Sequence, residues 1–262
     1  MSDFSNLVSS SSKGRSYLFS TGQAGFIIKS SSGQLLAIDL YLSDCVERTE
    51  GHVGFKRLLP KILRADELVF DVVIATHPHL DHFDIDTMPV LMSNGQTKLF
   101  CSVDCEQLIK QTQMEYYAPK TAYVKPNENY SAGDFYIHFM NCDHGTSAPD
   151  AVGVVIEVDG YRIYEAGDTC LRLDCVEEIK KYGEIDVMIA PINGTYGNIN
   201  EAECAKLSKA IKPKLTIPCH YGMFPSHGGN PGAFYEKMKE TKLNYLIMAQ
   251  GERYQLSTLG SR

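Results

Sequence analysis

Three of the chain's eight histidines fall within six residues, as His77, His79 and His82, and Asp81 stands among them. Imidazole and carboxylate groups are ligand types suited to zinc, iron and manganese. Pro78 separates the first two histidines and argues against a helical pair. Four side chains on a tight loop can instead fan out toward two ions, so the segment predicts a metal centre.

The loop is positioned by the apolar run at 71–75, which ends directly before it. A short, continuously apolar run is typical of a strand that is buried on both faces. Further strands are predicted at 17–29, 35–40, 98–101, 135–141, 151–158, 161–165, 187–190, 215–219 and 245–248. Helices are predicted at 58–65, 84–93, 103–113, 173–182, 200–211 and 231–241. The segments 30–33 and 159–160 are predicted to form hairpin turns.

These elements predict one α/β domain. Hairpins dominate the middle of the chain and strand–helix alternation occupies the flanks, which fits two sheets with helices covering both outer faces. A length of 262 residues is sufficient for one core. The Ser-rich segment 1–13 is expected to be a flexible leader, and 14–262 a single domain.

Composition restricts the partners. A net charge of −7 disfavours binding to nucleic acid backbones and anionic membranes. No apolar run approaches the roughly 20 residues of a membrane span, and the N-terminus lacks the features of a secretory signal. A cytoplasmic protein with a small-molecule substrate is therefore expected, with a homo-oligomer left open.

The chain has eight cysteines. In a cytoplasmic chain of this length they are expected to be free thiols, buried as small apolar groups. A structural zinc held by Cys101, Cys105, Cys170 and Cys175 is the alternative, although these spacings match a zinc ribbon poorly.

The motif from His77 to His82 resembles the signature of the metallo-β-lactamase-fold hydrolases. That family implies a third histidine, a bridging aspartate and a last histidine, in this order and each just past a strand. The sequence supplies His144 within 142–146, Asp168 within 166–169 and His220 within 217–222. The resemblance implies a four-layer αββα sandwich of two mixed sheets, and it extends roughly from residue 22 to residue 251.

The resemblance also implies two divalent metal ions, with zinc, manganese and iron all open. It divides the ligands into a first site, a second site and a bridge: His77, His79 and His144; Asp81, His82 and His220; and Asp168. Two cations about 4 Å apart would share a hydroxide, because coordination lowers the pKa of bound water toward about 7. Asp81 is expected to orient this nucleophile and accept its proton; the alternative is that it is a ligand only.

Four further segments, at 23–28, 38–44, 191–194 and 220–225, resemble the L-ascorbate-6-phosphate lactonase branch of that superfamily. Asn193 sits at a predicted strand end where a loop would face the site, and His227 follows the last ligand on a Gly-rich loop, where it could meet a substrate anion or act as an acid; with Tyr221 they are candidate substrate-binding residues. The alternatives are a turn pair for Asn193 and an exposed loop histidine for His227. Asp39 ends a strand near the metal loop and is a candidate partner of a ligating histidine.

The sequence thus predicts a metal-dependent hydrolase that cleaves a small ester, lactone or phosphoester. A phosphodiesterase or ribonuclease on the same fold is one alternative, and the acidic balance counts against it. A non-hydrolytic metal-binding or redox protein is another. Diiron relatives carry Glu in place of the motif's second histidine, which here is His79, and usually add a flavin domain. Hydrolysis of antibiotics is not expected, since the secreted lactamases need an export signal.

Overall fold

The computed structural model describes residues 1–259. Its α-helices are α1 (Asp3–Ser10), α2 (Cys45–Glu50), α3 (Met88–Met92), α4 (Glu106–Gln111), α5 (Val176–Lys180), α6 (Glu201–Ile211) and α7 (Pro231–Thr241). Its strands are β1 (Tyr17–Gly22), β2 (Gly25–Lys29), β3 (Leu35–Ile38), β4 (Val72–Ala75), β5 (Lys98–Ser102), β6 (Thr121–Val124), β7 (Asn129–Ala132), β8 (Phe135–Asn141), β9 (Val152–Val158), β10 (Tyr161–Glu165), β11 (Val187–Pro191), β12 (Leu215–Cys219) and β13 (Arg253–Gln255).

The strands form two mixed sheets. The first has the order β13-β1-β2-β3-β4-β5-β6, and the second has the order β12-β11-β10-β9-β8-β7. Within the first sheet β3, β4, β5 and β6 run parallel, and within the second β10, β11 and β12 do. Strands that are consecutive along the chain supply most of the antiparallel pairs, including β9 and β10, which join through Asp159-Gly160 in the left-handed region. The pair of β1 and β13 is also antiparallel and joins the two ends of the chain.

Three apolar layers hold the sheets and helices together. The central layer lies between the sheets and includes Phe26, Ile74 and Ile156. A second layer packs α1, α3 and α4 against the first sheet, and a third packs α5, α6 and α7 against the second. The predicted αββα architecture with helices on both outer faces is therefore confirmed.

The carboxyl ends of several strands meet at one edge of this sandwich. β1, β3 and β4 point the same way in the first sheet, and β8, β10 and β12 do so in the second. The backbone amide of Val152 donates to the carbonyl oxygen of Thr76 over 3.1 Å and ties the two sheets together at this edge. Loops that leave these strands are therefore brought close to one another.

Asp84 explains why the helix expected at 84–93 begins only at Met88. Its buried carboxylate accepts hydrogen bonds from the backbone amides of Asp86 and Thr87. These bonds hold residues 84–87 in a turn instead of the first turn of a helix. The same carboxylate accepts the backbone amides of Leu42 and Ser43, from the loop after β3. One residue therefore fixes two loops beside the predicted metal centre.

Other predicted elements differ in detail. The run at 17–29 is two strands, because Gln23 takes a positive φ of 54° and reverses the chain. The helix expected at 58–65 is absent from the described structure, and of the strand expected at 245–248 only a single bridge between Thr216 and Tyr245 forms. The helices expected at 103–113 and 173–182 each begin with a 3₁₀ turn.

The prediction of a flexible leader at residues 1–13 is wrong for its helical part. α1 buries Phe4 and Val8 against the first sheet. The ammonium group of Lys29, whose residue is only 5% exposed, donates to the carbonyl oxygens of Val8, Ser9 and Ser11 at 2.7, 3.1 and 2.9 Å. A cation at a helix C-terminus satisfies carbonyls that lack helical partners and complements the helix dipole.

No helix in residues 1–259 is both long and apolar enough to cross a membrane.

Candidate metal centre

The loop after β4 gathers the first group of imidazoles. β4 is buried throughout, and His77 follows Thr76 directly at its end. Nε2 of His77 lies 2.9 Å from Nδ1 of His79, and Nε2 of His144 lies 3.1 Å from the same nitrogen. Three ring nitrogens this close present a ligand set for one cation.

Hydrogen bonds on the far side of His77 determine which ring nitrogen is free. The hydroxyl of Thr76 donates to Oδ2 of Asp39 over 2.6 Å, so its oxygen remains an acceptor. Nδ1 of His77 lies 3.0 Å from that oxygen. The proton of neutral His77 therefore belongs on Nδ1, and Nε2 offers its lone pair to the centre.

His82 is oriented in the same manner. Its Nδ1 lies 2.7 Å from Oδ2 of Asp39, and both side chains are fully buried. Donation from Nδ1 to this carboxylate leaves Nε2 facing the centre. Asp39 follows β3, where its backbone amide donates to the carbonyl oxygen of Ile74 in the neighbouring strand. The structure thus places its carboxylate beside a histidine of the motif.

A second group of donors forms around Nε2 of His82. Nε2 of His220 lies 3.3 Å away and Oδ2 of Asp81 lies 3.7 Å away, while His220 and Asp81 are 3.4 Å apart. The structure thus brings together the three residues that the sequence assigned to a second site.

Asp168 lies between the two groups. Its Oδ2 is 3.0 Å from Nε2 of His220, 3.5 Å from Nε2 of His82 and 3.9 Å from Nε2 of His144. The turn that carries it requires Gly167, which has a φ of 66°, and a Cβ there would come within 2.8 Å of the carbonyl oxygen of Val152. This close approach explains the glycine next to the aspartate.

Gln23 is part of this centre, and the sequence analysis gave it no role. Its Nε2 donates to Oδ2 of Asp81 over 2.8 Å and lies 3.1 Å from Nδ1 of His227. Its backbone carbonyl accepts the amide of His220 over 2.9 Å, and both residues have left-handed φ values of 54° and 61°. An amide side chain inside a largely apolar β-type run was the available signal.

Burial and the nearby carboxylates shift the pKa values of the histidines of the centre in opposite directions. Burial opposes the charged form of His220, but the carboxylates of Asp168 and Asp81 raise its pKa to about 9. Burial lowers the pKa of His144 to about 4 and that of His77 well below its usual value. Neutral imidazole is the form that binds a metal ion. Divalent cations would replace the proton that the two carboxylates hold on His220, so the donor set of five histidines and two aspartates fits them.

A cavity of about 530 Å³ opens onto the centre. His227 lies on its wall, with its ring stacked on that of His220 at 4.7 Å. The other two substrate-binding candidates lie elsewhere. The side-chain amide of Asn193 turns back onto Thr195, and the Tyr221 hydroxyl donates to the carbonyl oxygen of Met248, so neither lines this cavity.

The cysteines are not among the candidate metal ligands, although Sγ of Cys142 donates to the backbone carbonyl oxygen of Asp168 over 3.0 Å. All eight are free thiols, and Cys101 and Cys105 are buried in the layer beneath the first sheet. Within residues 1–259, the groups of side chains placed to hold a metal ion contain histidine and aspartate and no cysteine.

Comparison with known proteins places the chain in a family. A family model described as the beta-lactamase superfamily domain matches residues 17–220. A protein of Polynucleobacter asymbioticus named as a metal-dependent hydrolase is 24% identical over 264 residues, which cover 93% of this chain and 87% of that protein. A protein of Thermococcus onnurineus with the same name is 28% identical over 224 residues, covering 78% and 94% of the two chains.

Solved structures share the fold. A metallo hydrolase of Ignicoccus hospitalis superposes with a TM-score of 0.70 at 23% identity, covering 92% of this chain and 97% of that one. A possible metal-dependent hydrolase of Veillonella parvula superposes with a TM-score of 0.71 at 18% identity, covering 92% and 98% of the two chains.

Proposed function

This chain belongs to the β-lactamase superfamily, and we propose that it is a metal-dependent hydrolase with a binuclear centre that cleaves a small ester, lactone or phosphoester. Its relatives in Polynucleobacter and Thermococcus carry the name of metal-dependent hydrolases. The ligands are those predicted from the sequence: His77, His79 and His144 on one side, Asp81, His82 and His220 on the other, and Asp168 between them. Zinc, manganese and iron all suit this set.

The position of Asp168 is the observation that carries the proposal. A single carboxylate oxygen lies within 3.9 Å of ring nitrogens from both groups, namely those of His144, His82 and His220. Seven side chains exceed the four ligands of a closed tetrahedral site. A shared carboxylate between two incomplete groups is the arrangement expected of two neighbouring cations.

Two bound cations would lower the pKa of a water held between them toward about 7 and neutralise charge that develops on the substrate. The chain's own residues then have two tasks. Asp81 lies at the floor of the cavity and is placed to take a proton from the nucleophile. Gln23 donates to Asp81 and fixes the direction of that carboxylate.

Asp81 also serves as a ligand in this proposal. Oδ2 accepts from Gln23 and faces Nε2 of His220. A ligand with no part in proton transfer remains the alternative for Asp81, as it was from the sequence. The ascorbate-6-phosphate lactonase branch likewise stays a prediction, because the relatives are named by their metal dependence and not by a substrate.

Replacement of one imidazole tests the proposal. His79→Ala removes Nδ1, which lies 2.9 Å from Nε2 of His77 and 3.1 Å from Nε2 of His144. The first group then keeps two of its three imidazoles. We expect hydrolysis of p-nitrophenyl acetate, γ-butyrolactone or bis-p-nitrophenyl phosphate by the metal-loaded wild type, and its loss in this variant. The fold should remain, since β4 ends before the loop.

His138→Ala is the matched control. This histidine lies in β8, where it contacts Asn129 and Glu157 and stacks on Tyr182, and it is not among the residues of the candidate metal groups. Full activity in His138→Ala and none in His79→Ala is the expected pair of results. Activity confined to RNA would favour the nuclease alternative, particularly if it falls steeply with salt. Reversible redox cycling of the metal without hydrolysis of any substrate would favour the non-hydrolytic one.

A further inference from the structure

The wall of the cavity above the metal centre is largely apolar. Val46, Phe55, Leu80, Leu108 and Tyr196 line it together with Pro78. The rings of Phe55 and Tyr196 lie 5.6 Å apart, and each lies within 5.4 Å of the ring of His227. Such ring spacings are those of packed aromatic groups, and they form a continuous surface that can receive another ring or an alkyl chain.

The cavity is also lined without a lysine or arginine side chain among the described residues, so its basic groups are the histidines of the centre and His227. The nearest arginine in the segment that carries Phe55 is Arg57, whose guanidinium donates to the carbonyl oxygens of Ser43 and Leu59 and covers the Tyr41 ring. It is therefore held by the protein's own backbone.

The charged residue on the wall outside the centre is acidic. Glu50 ends α2, lines the cavity and is exposed. A substrate that carried a phosphate or carboxylate away from its scissile bond would place that anion near Glu50 or against apolar side chains. Both positions are unfavourable, because like charges repel and a charge removed from water without a partner is costly.

We infer that the substrate is uncharged away from the bond that is cleaved and carries an aromatic or alkyl group, which packs on Phe55, Tyr196 and His227. This inference rests on the proposed function, since it takes the metal centre as the place where the scissile group binds. A cavity of about 530 Å³ accommodates such a molecule of modest size. Sugar phosphates and other remote anions are thereby disfavoured as substrates.

The test is a binding experiment with two inhibitors that share a metal-chelating hydroxamate. Hexanohydroxamate has an alkyl tail, and adipic acid monohydroxamate has the same chain length with a terminal carboxylate. Titration calorimetry on the zinc-loaded wild-type protein should show that hexanohydroxamate binds at least about fivefold more tightly. A repulsion of about 1 kcal/mol, which is that of two like charges about 4 Å apart in water, corresponds to this ratio. Equal affinity, or tighter binding of the carboxylate, would overturn the inference.

Two variants assign the preference to the wall. Phe55→Ala should weaken hexanohydroxamate several-fold, whereas Tyr116→Ala, at an aromatic residue that is 87% exposed and outside the cavity, should not. Glu50→Gln should strengthen the carboxylate ligand alone, and Glu115→Gln should change neither. An unchanged affinity for hexanohydroxamate in Phe55→Ala would contradict the assignment.

The hydroxamate binding test can fail or succeed independently of the hydrolysis test of the proposed function. The hydroxamates report on the metal centre and wall without any bond being cleaved. A protein that binds hexanohydroxamate preferentially but hydrolyses nothing would retain the inference about the wall and lose the proposed reaction. A protein that hydrolyses esters but prefers the carboxylate ligand would do the reverse.

Discussion

Nδ1 of His82 lies 2.7 Å from Oδ2 of Asp39, and neither side chain is exposed to solvent. The same carboxylate accepts both the backbone amide and the hydroxyl of Thr76, which in turn lies beside His77. One aspartate at the end of β3 therefore sets the orientation of two imidazoles, one from each proposed metal site. Mutation of a residue that hydrogen-bonds to a metal ligand typically lowers metal affinity or activity by 10–100-fold.

Asp39→Asn tests this role. The amide oxygen can still accept from the Thr76 backbone, but an NH₂ group in place of Oδ2 would face two donors. We expect zinc affinity to fall about 10–100-fold while saturated protein still holds two ions. Asp168→Asn is the comparison, and it should lower the number of zinc ions bound at saturation, because the charge proposed to bridge the two ions is lost. Competition with a chromophoric chelator gives both quantities, and indistinguishable behaviour of the two variants would refute the distinction.

Gln23→Met removes the donor to Asp81 while keeping the length of the side chain and the backbone bond to His220. We expect kcat to fall about tenfold with little change in KM or in bound metal, because the variant disturbs the direction of a carboxylate and not the ligand set. Steady-state kinetics with matched metal analysis measures this. Gln250→Met, whose amide donates to the carbonyl oxygens of Thr21 and Pro60, is the control and should retain kcat. A Gln23→Met enzyme with wild-type kcat would show that the hydrogen bond from Gln23 to Asp81 does not contribute to catalysis.

The cysteines provide a separate check. Cys101→Ala/Cys105→Ala removes two thiols that are fully buried in the layer beneath the first sheet. Metal content and activity should be unchanged, with a moderate decrease in stability from the small cavities that form. Elemental analysis showing one zinc fewer per chain than in the wild type would restore the structural-zinc alternative.

The N-terminal helix gives a prediction about stability. Lys29→Met would leave the carbonyl oxygens of Val8, Ser9 and Ser11 without their charged donor. A hydrogen bond to a charged group contributes roughly 1.5–3 kcal/mol, so the free energy of unfolding should fall by about 2 kcal/mol or more. Urea unfolding measures the change. The exposed Lys13→Met serves as the reference, and equal stability of the two variants would contradict the account.

The sequence predicted those parts of the centre that depend on local order. Val72 to Ala75 is an uninterrupted apolar run, so both the strand and the loop of ligands after it were identifiable. His144, Asp168 and His220 each come within three residues of a strand end, although those strands contain polar residues. Their convergence was implied by the resemblance, and physically it depends on the shared direction of β8, β10 and β12.

Other features were hidden for identifiable reasons. Gln23 reverses the chain inside what reads as one β run, and its contact with Asp81 spans 58 positions. β6 and β7 lie at the sheet edges with much of their surface exposed, so no apolar pattern identifies them. α1 is rich in serine, and its position depends on the distant Lys29, which composition alone does not reveal.

The most direct test of the central claim is the number of metal ions per chain. Apo-protein titrated with zinc, freed of loosely bound ions and examined by elemental analysis should retain about two ions per chain, because Asp168 lies between two groups of ligands. A saturating ratio of one ion or fewer would contradict the binuclear centre and the hydrolysis proposed from it.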